Sequence, residues 1–135
     1  MKRISLVLGL SALMFLANVA VIGAAPGHEF SVKQYNDFHE VLHPLQHDAL
    51  PKGDFATIRT RSGELIRHGK RIVRLGVPRG TKKEKIADFK AGLTKFNKAL
   101  AKFRTDAKSG SDDQLKISYS AVHDTFEELA EMLPR

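Results

Sequence analysis

Cysteine is absent from all 135 residues, and that absence removes more chemistry than any single residue type supplies. No disulfide framework, thiolate metal site or haem linked through paired thiols can form. Stability has to come from core packing, and a domain of this size buries roughly 65% of its unfolded surface, enough to fold alone. Other absences narrow the function. There is no nucleophile elbow, no HExxH zinc motif and no glycine-rich phosphate loop. Glu127 and Glu128 are adjacent and diverge on a helix, so they make no acid–base pair. The chain is therefore expected not to be an enzyme. Aromatic and basic residues do not interleave in the manner that stacks bases, which sets nucleic acid aside as a partner. Period-two alternation is missing as well, and with it any sheet; no internal repeat or low-complexity tract occurs.

The N-terminus reads as a secretory leader. Lys2 and Arg3 precede an apolar run from Ile4 to Ile22, and Gly23, Ala24 and Ala25 offer the small residues of a cleavage site. Residues 1–25 are taken as a signal peptide, 26–30 as a short tail and 31–135 as one folded domain. Pro26 is a poor residue to follow a scissile bond, so cleavage after Gly23 or Ala24 competes with cleavage after Ala25. The alternative is an uncleaved anchor, since the run is about long enough to span a bilayer; membrane contact is then confined to this segment. Both readings place the domain in the periplasm or outside the cell. Losing Lys2 and Arg3 lowers the formal charge from +7 to +5.

Four amphipathic segments follow, separated by breaker clusters. The first spans about Ser31 to Ala49 and carries Tyr35, Phe38, Leu42, Leu45 and Ala49 on one stripe, with Pro44 expected to kink or break it. Asp54 is the expected N-cap of the second, which runs to about Leu75 and buries Phe55, Ile58, Leu65, Ile66, Gly69, Ile72 and Val73. Gly63 and Gly69 each weaken that helix by roughly 1 kcal/mol against alanine, and close approach of a neighbouring helix is the expected compensation for both. Thr81 and Glu84 suggest a capping box for the third helix, whose Ile86, Phe89, Leu93, Phe96, Leu100, Phe103 and Ala107 repeat every three or four residues. Ser111 and Gln114 suggest a second box for the fourth helix, with Leu115, Tyr119, Val122, Phe126, Leu129 and Leu133 inward. The pattern predicts an all-α, antiparallel up-down-up-down four-helix bundle.

Histidine supplies the one chemically pointed feature. His39, His43 and His47 recur every four residues on the first helix, a spacing that lets adjacent pairs chelate one ion, and imidazole suits copper and zinc. At about 100° per residue the three drift 40° per step away from the core stripe. His39 is thus expected at its edge, His43 intermediate, and His47 toward solvent unless Pro44 resets the phase. Counting from the shared end of the bundle puts His123 on the last helix within about a turn of His39, at 1.5 Å rise per residue, with His68 a few residues higher. A layer of His39, His43 and His123, joined by His68 and less readily by His47, is the expected metal site, with Glu40, Asp124 and Glu127 as nearby carboxylates. Taken singly, each of these histidines is equally at home as a hydrogen-bonded residue at the boundary of the core. Were cleavage to leave Pro26-Gly27-His28 at the N-terminus, His28 with the free amine would form a separate square-planar copper or nickel motif.

The layout of leader plus four short helices over about residues 31–133 resembles the exported bundles of the cytochrome b562 and cytochrome c′ group, and the histidines of the first helix resemble those of periplasmic histidine-rich metal-binding bundles. The haem-binding residues of the cytochrome group are not matched. No Cys-x-x-Cys-His occurs, the first helix has no methionine, and His123 is the only histidine of the last helix. A haem would need His39 or His43 opposite His123, which leaves b-type haem a third reading. The first is a non-catalytic carrier, buffer or sensor of divalent copper or zinc. Its affinity is expected to fall as pH drops through about 6.5, because imidazole must be neutral to ligate. The second is a structural or adaptor bundle meeting an acidic protein or anionic envelope surface through the basic third helix, at Lys82, Lys83, Lys85, Lys90, Lys95, Lys98, Lys102, Arg104 and Lys108. The plain alternative for those charges is a solvated helix face.

Overall fold

The computed structural model describes residues 29–135; the leader, its cleavage site and His28 lie outside the described residues. Within them the chain is all-helical, with four helices and no strand. Helix α1 covers Lys33–Pro44 and continues as a π-turn over Leu45–Ala49, α2 covers Phe55–Leu75, α3 covers Ile86–Ser109 and α4 covers Asp112–Glu131. No helix among the described residues is long and apolar enough to cross a membrane.

The apolar stripes become the core. Tyr35, Phe38, Leu42, Leu45 and Ala49 of the first stripe are all buried, as are Ile58, Leu65 and Ile72 of α2. Phe89, Phe96, Leu100 and Phe103 of α3 meet Leu115, Tyr119, Val122, Phe126 and Leu129 of α4 in the same cluster. Each such phenylalanine contributes about 1.5–3 kcal/mol by leaving water. Phe55, Ile66, Val73, Leu93, Ala107 and Leu133 cover the rim of this cluster, half-buried.

Helix ends follow local chemistry in two cases and depart from it in one. Asp54 caps α2 as expected, accepting from the Thr57 amide at 3.0 Å, and Ser111 with Gln114 closes a reciprocal capping box on α4. Thr81 and Glu84 do not form the expected box. The Thr81 hydroxyl donates to the Pro78 carbonyl at 2.7 Å and its amide donates to the same oxygen, so Thr81 belongs to the preceding turn. The chain then enters α3 through a 3-10 turn at Lys83–Lys85 that has no side-chain cap. At the other end of α3, Arg59 of α2 does the capping. Its guanidinium donates to the carbonyls of Asp106, Ala107 and Gly110 and to the Asp112 carboxylate, adding to the Gly110 amide that already caps the Asp106 carbonyl and reaching Ala107 in the last turn, where α3 runs out of helical donors.

Asp106 is a buried carboxylate that the stripe pattern gives no reason to expect. Its side chain is 5% exposed and takes Lys102 Nζ on both oxygens at 2.7 Å. That hydrogen bonding, with a further one from Ser118, holds its carboxyl below the ordinary carboxylate range. A folded pKa below the unfolded value means the ionised form stabilises the fold above that unfolded value, about 3.9, and the contribution fades as pH falls through the window beneath it. Asp106→Asn should therefore lower the melting temperature at pH 7, with the gap to the parent narrowing at pH 3, as thermal circular dichroism at the two pH values would show.

The two glycines of α2 separate. A Cβ on Gly69 would lie 2.7 and 2.8 Å from the two methyls of Leu100 and 3.2 Å from Phe38, so here the close helix approach is real. Gly63 is exposed, and a Cβ there would meet nothing within 4 Å; the expected close approach does not occur. Gly63→Ala should gain about 1 kcal/mol from helix propensity alone. Gly69→Ala should lose about 1 kcal/mol net, because overpacking of about 1–3 kcal/mol outweighs the same propensity gain. Urea midpoints moving in opposite directions would confirm the contrast.

Candidate metal centre

Pro44 shapes the site by what it cannot do. Without an N–H it leaves the Glu40 carbonyl without its helical donor, and the backbone downstream widens. Leu50 donates to Leu45 and Asp54 to Ala49, each across five residues at 2.9 Å. A π-turn spends fewer degrees on each residue than an α-turn. The four-residue step from His43 to His47 therefore sheds part of the 40° by which an α-helix would carry His47 onward. The expected break is thus a phase reset that keeps Leu45 and Ala49 buried.

The three imidazoles form a ladder as a result. The His39 and His43 rings lie 5.3 Å apart between centroids, and His43 and His47 lie 4.4 Å apart. With metal–nitrogen bonds of about 2.0–2.1 Å, two imidazoles sharing one ion hold their centroids roughly 5 Å apart, so both pairs are near chelating separation. Their surroundings differ. His39 is half-buried and packs its ring against Phe30 at 5.5 Å and Phe126 at 6.4 Å. His43 and His47 are both exposed. The aromatic packing fixes His39 from one side, whereas His43 and His47 have room to turn toward an ion.

The other two candidates sit in settings of their own. His123 on α4 is 27% exposed, and its Nδ1 lies 3.1 Å from the Asp124 carboxylate. That carboxylate favours the tautomer with the proton on Nδ1 and leaves Nε2 as the lone-pair nitrogen, the orientation a metal-binding imidazole needs. His68 on α2 is half-buried, with Nδ1 enclosed by protein and lacking a hydrogen-bond partner. The Asp37 carboxylate of α1, held low chiefly by its hydrogen bond from Lys33, is lowered further by the nearby charge positions of His68 and Arg71. Among the described residues, no group of three or more His, Cys, Asp or Glu side chains is placed to hold a metal ion. What the structure brings together is neighbouring imidazoles on the first helix and its π-turn, His39 with His43 and His43 with His47.

No protein-family model, curated protein or solved structure matches this chain.

If the π-turn is what brings the rings of His43 and His47 together, restoring the missing amide should separate them. Pro44→Ala is expected to move the His43 and His47 rings apart, read as loss of the nuclear Overhauser contacts between their ring protons, while circular dichroism shows no loss of helix.

Proposed function

We propose that the chain is an exported, non-catalytic metal-binding four-helix bundle that carries, buffers or senses divalent copper or zinc. The observation that carries this reading is the His39–His43–His47 ladder, with ring separations of 5.3 and 4.4 Å, running from half-buried His39 to exposed His43 and His47 along the first helix and its π-turn. His43 and His47 are the leading pair, His39 extends it, and His123, its Nε2 left open beside Asp124, is the candidate further ligand; His68 follows. The antiparallel up-down-up-down arrangement belongs to the same proposal. It is supported by contacts that run in reverse order along α3 and α4: Phe103 meets Tyr119, Phe96 meets Phe126, and a Cβ on Gly92 would meet Leu129. Export rests on the leader-like residues 1–25.

Imidazole without thiolate favours copper(II) over zinc on intrinsic affinity. Calorimetry of the tag-free protein is expected to show one saturable copper(II) site. Replacing His43 and His47 together by alanine should weaken it at least about tenfold, which corresponds to about 1.4 kcal/mol. Absence of saturable binding, or binding indifferent to that double replacement, would sink the proposal.

A second reading has its own support. All nine basic side chains from Lys82 to Lys108 on and before α3 are exposed, and among the described residues only Lys95 and Lys102 of these take a carboxylate partner. Such a surface suits an adaptor that meets an acidic protein or an anionic envelope surface.

A further inference from the structure

The space beside Gly63 has no structural explanation within the fold. A glycine in the middle of a 21-residue helix is unfavourable unless something needs the missing side chain, and here nothing among the described residues occupies the place a Cβ would take. What lies there is a groove between α2 and α3. It consists of two adjoining hollows of about 510 and 400 Å³ that share Ile66, Arg104 and Lys108 as walls. From Arg59 to Lys70 along α2 it runs about 16 Å at the α-helical rise.

Its floor and its rim differ in chemistry. Ile66 and Ala107 are half-buried apolar side chains at the bottom, and Leu100 continues the floor. The rim is cationic, with Arg67 on α2 and Arg104 and Lys108 on α3, and no carboxylate is among the lining side chains. Two further cations at the ends are already engaged: Arg59 with Asp112, and Lys70 with Asn97. Arg104 and Lys108 have no ion-pair partner among the described residues. Arg67 lies close enough to Glu64 to help hold that carboxylate low, although Arg61 is the hydrogen-bonded partner. Gly63 sits one turn from Arg59 and one turn from Arg67 on the same helix face, so its missing side chain keeps the mouth of the groove open between two arginines.

We propose that this groove receives an acidic, amphipathic segment of a partner protein, with apolar side chains on the Gly63–Ile66–Ala107 floor and carboxylates on Arg67, Arg104 and Lys108. Charge complementarity selects an anionic occupant, and the recessed apolar floor selects a peptide over a membrane, whose headgroups would meet the convex lysines of α3 without entering a cleft. The groove rests on the second reading, a basic α3 surface that meets an acidic protein, and is independent of the histidines proposed to bind metal on α1 and its π-turn.

The test is fluorescence anisotropy with a labelled amphipathic helix-forming peptide, glutamate on one face and leucine on the other, against the full chain. Binding at low salt is expected to weaken about tenfold at high salt. Arg104→Glu with Lys108→Glu should weaken it about tenfold or more, whereas Lys82→Glu with Lys85→Glu, an equal charge change outside the groove, should alter it less than about threefold. Gly63→Leu should weaken binding about fivefold or more by filling the mouth, and a retained melting transition would show that the variant is folded. Failure of the peptide to bind would overturn the proposal. So would equal losses in the two charge variants, or unchanged affinity in Gly63→Leu. Preferential binding to vesicles of one part phosphatidylglycerol to three parts phosphatidylcholine, insensitive to Gly63→Leu, would overturn it in favour of a lipid surface.

Discussion

Phe126 is the aromatic side chain that ties α1 to α4, beside the packing of α1 on α2. Its ring meets Phe38 at 4.7 Å, Phe30 and Tyr35 at 5.7 Å, His39 at 6.4 Å and Phe96 at 6.5 Å. One side chain of α4 thereby gathers the extended residue before α1, two core positions of α1 and one of α3. Aromatic pairs in such tilted, edge-on and stacked arrangements contribute about 0.5–1.5 kcal/mol beyond the area they bury, and cysteine-free chains have no covalent substitute for that cohesion. The Tyr119 hydroxyl adds a directional link, donating to the Leu42 carbonyl at 3.3 Å, one residue before His43. The histidines thus project from a helix whose inner face is fixed by aromatic packing, which is the condition for a surface pair to be preorganised.

That fixed inner face also explains the form of the break at Pro44. Leu42, Leu45 and Ala49 must all stay in the core, yet the proline removes a hydrogen bond between them. A sharp kink would swing the following turn away from its buried neighbours. Widening the turn keeps both stripe residues inward and lengthens the backbone bonds to five residues instead of losing them. The ring proximity of His43 and His47 is a by-product of satisfying the core. Sequence periodicity read Pro44 as a disruption, and the alternative outcomes of kink, break or phase reset are decided by tertiary packing that no local pattern contains.

The same division runs through the remaining elements. Asp54 and the Ser111–Gln114 box were readable because each side chain has a strong local acceptor or donor and no competitor. Thr81 has a competitor, the Pro78 carbonyl three residues earlier, and the local pattern does not rank the two. The stripes of α3 and α4 were readable in their main positions, Phe89, Phe96, Leu100 and Phe103 against Leu115, Tyr119, Val122, Phe126 and Leu129, whereas Ile86, Leu93 and Ala107 are only half-buried and Ile117 faces solvent. Asp106 was missed because a charged residue on the inward side contradicts the stripe; the clue lay four residues upstream in Lys102, at helical salt-bridge spacing. Among the site residues, the spacing of His39, His43 and His47 was plain, whereas membership of His123 and His68 in one layer depended on side-chain convergence between helices. Counting residues along an axis constrains height and leaves azimuth open.

Coordination number bears on what a pair of imidazoles is good for. Structural zinc sites use four protein ligands and catalytic ones three; a pair supplies half of the first. On the proposed reading, the remaining positions around an ion go to water or to an incoming ligand, and imidazole ligates through the lone pair of its neutral ring. Such a site loads and unloads readily, gains little folding stability from its metal, and leaves the apo bundle intact because the aromatic core does not include the ion. Those are properties of a carrier or buffer, and they contrast with metal-dependent small domains, whose fold is lost with the ion. On that reading, the placement of His43 and His47 on an exposed surface, one and two turns beyond the His39 ring packed against Phe126, would combine a rigid base with open coordination positions, which exchange requires.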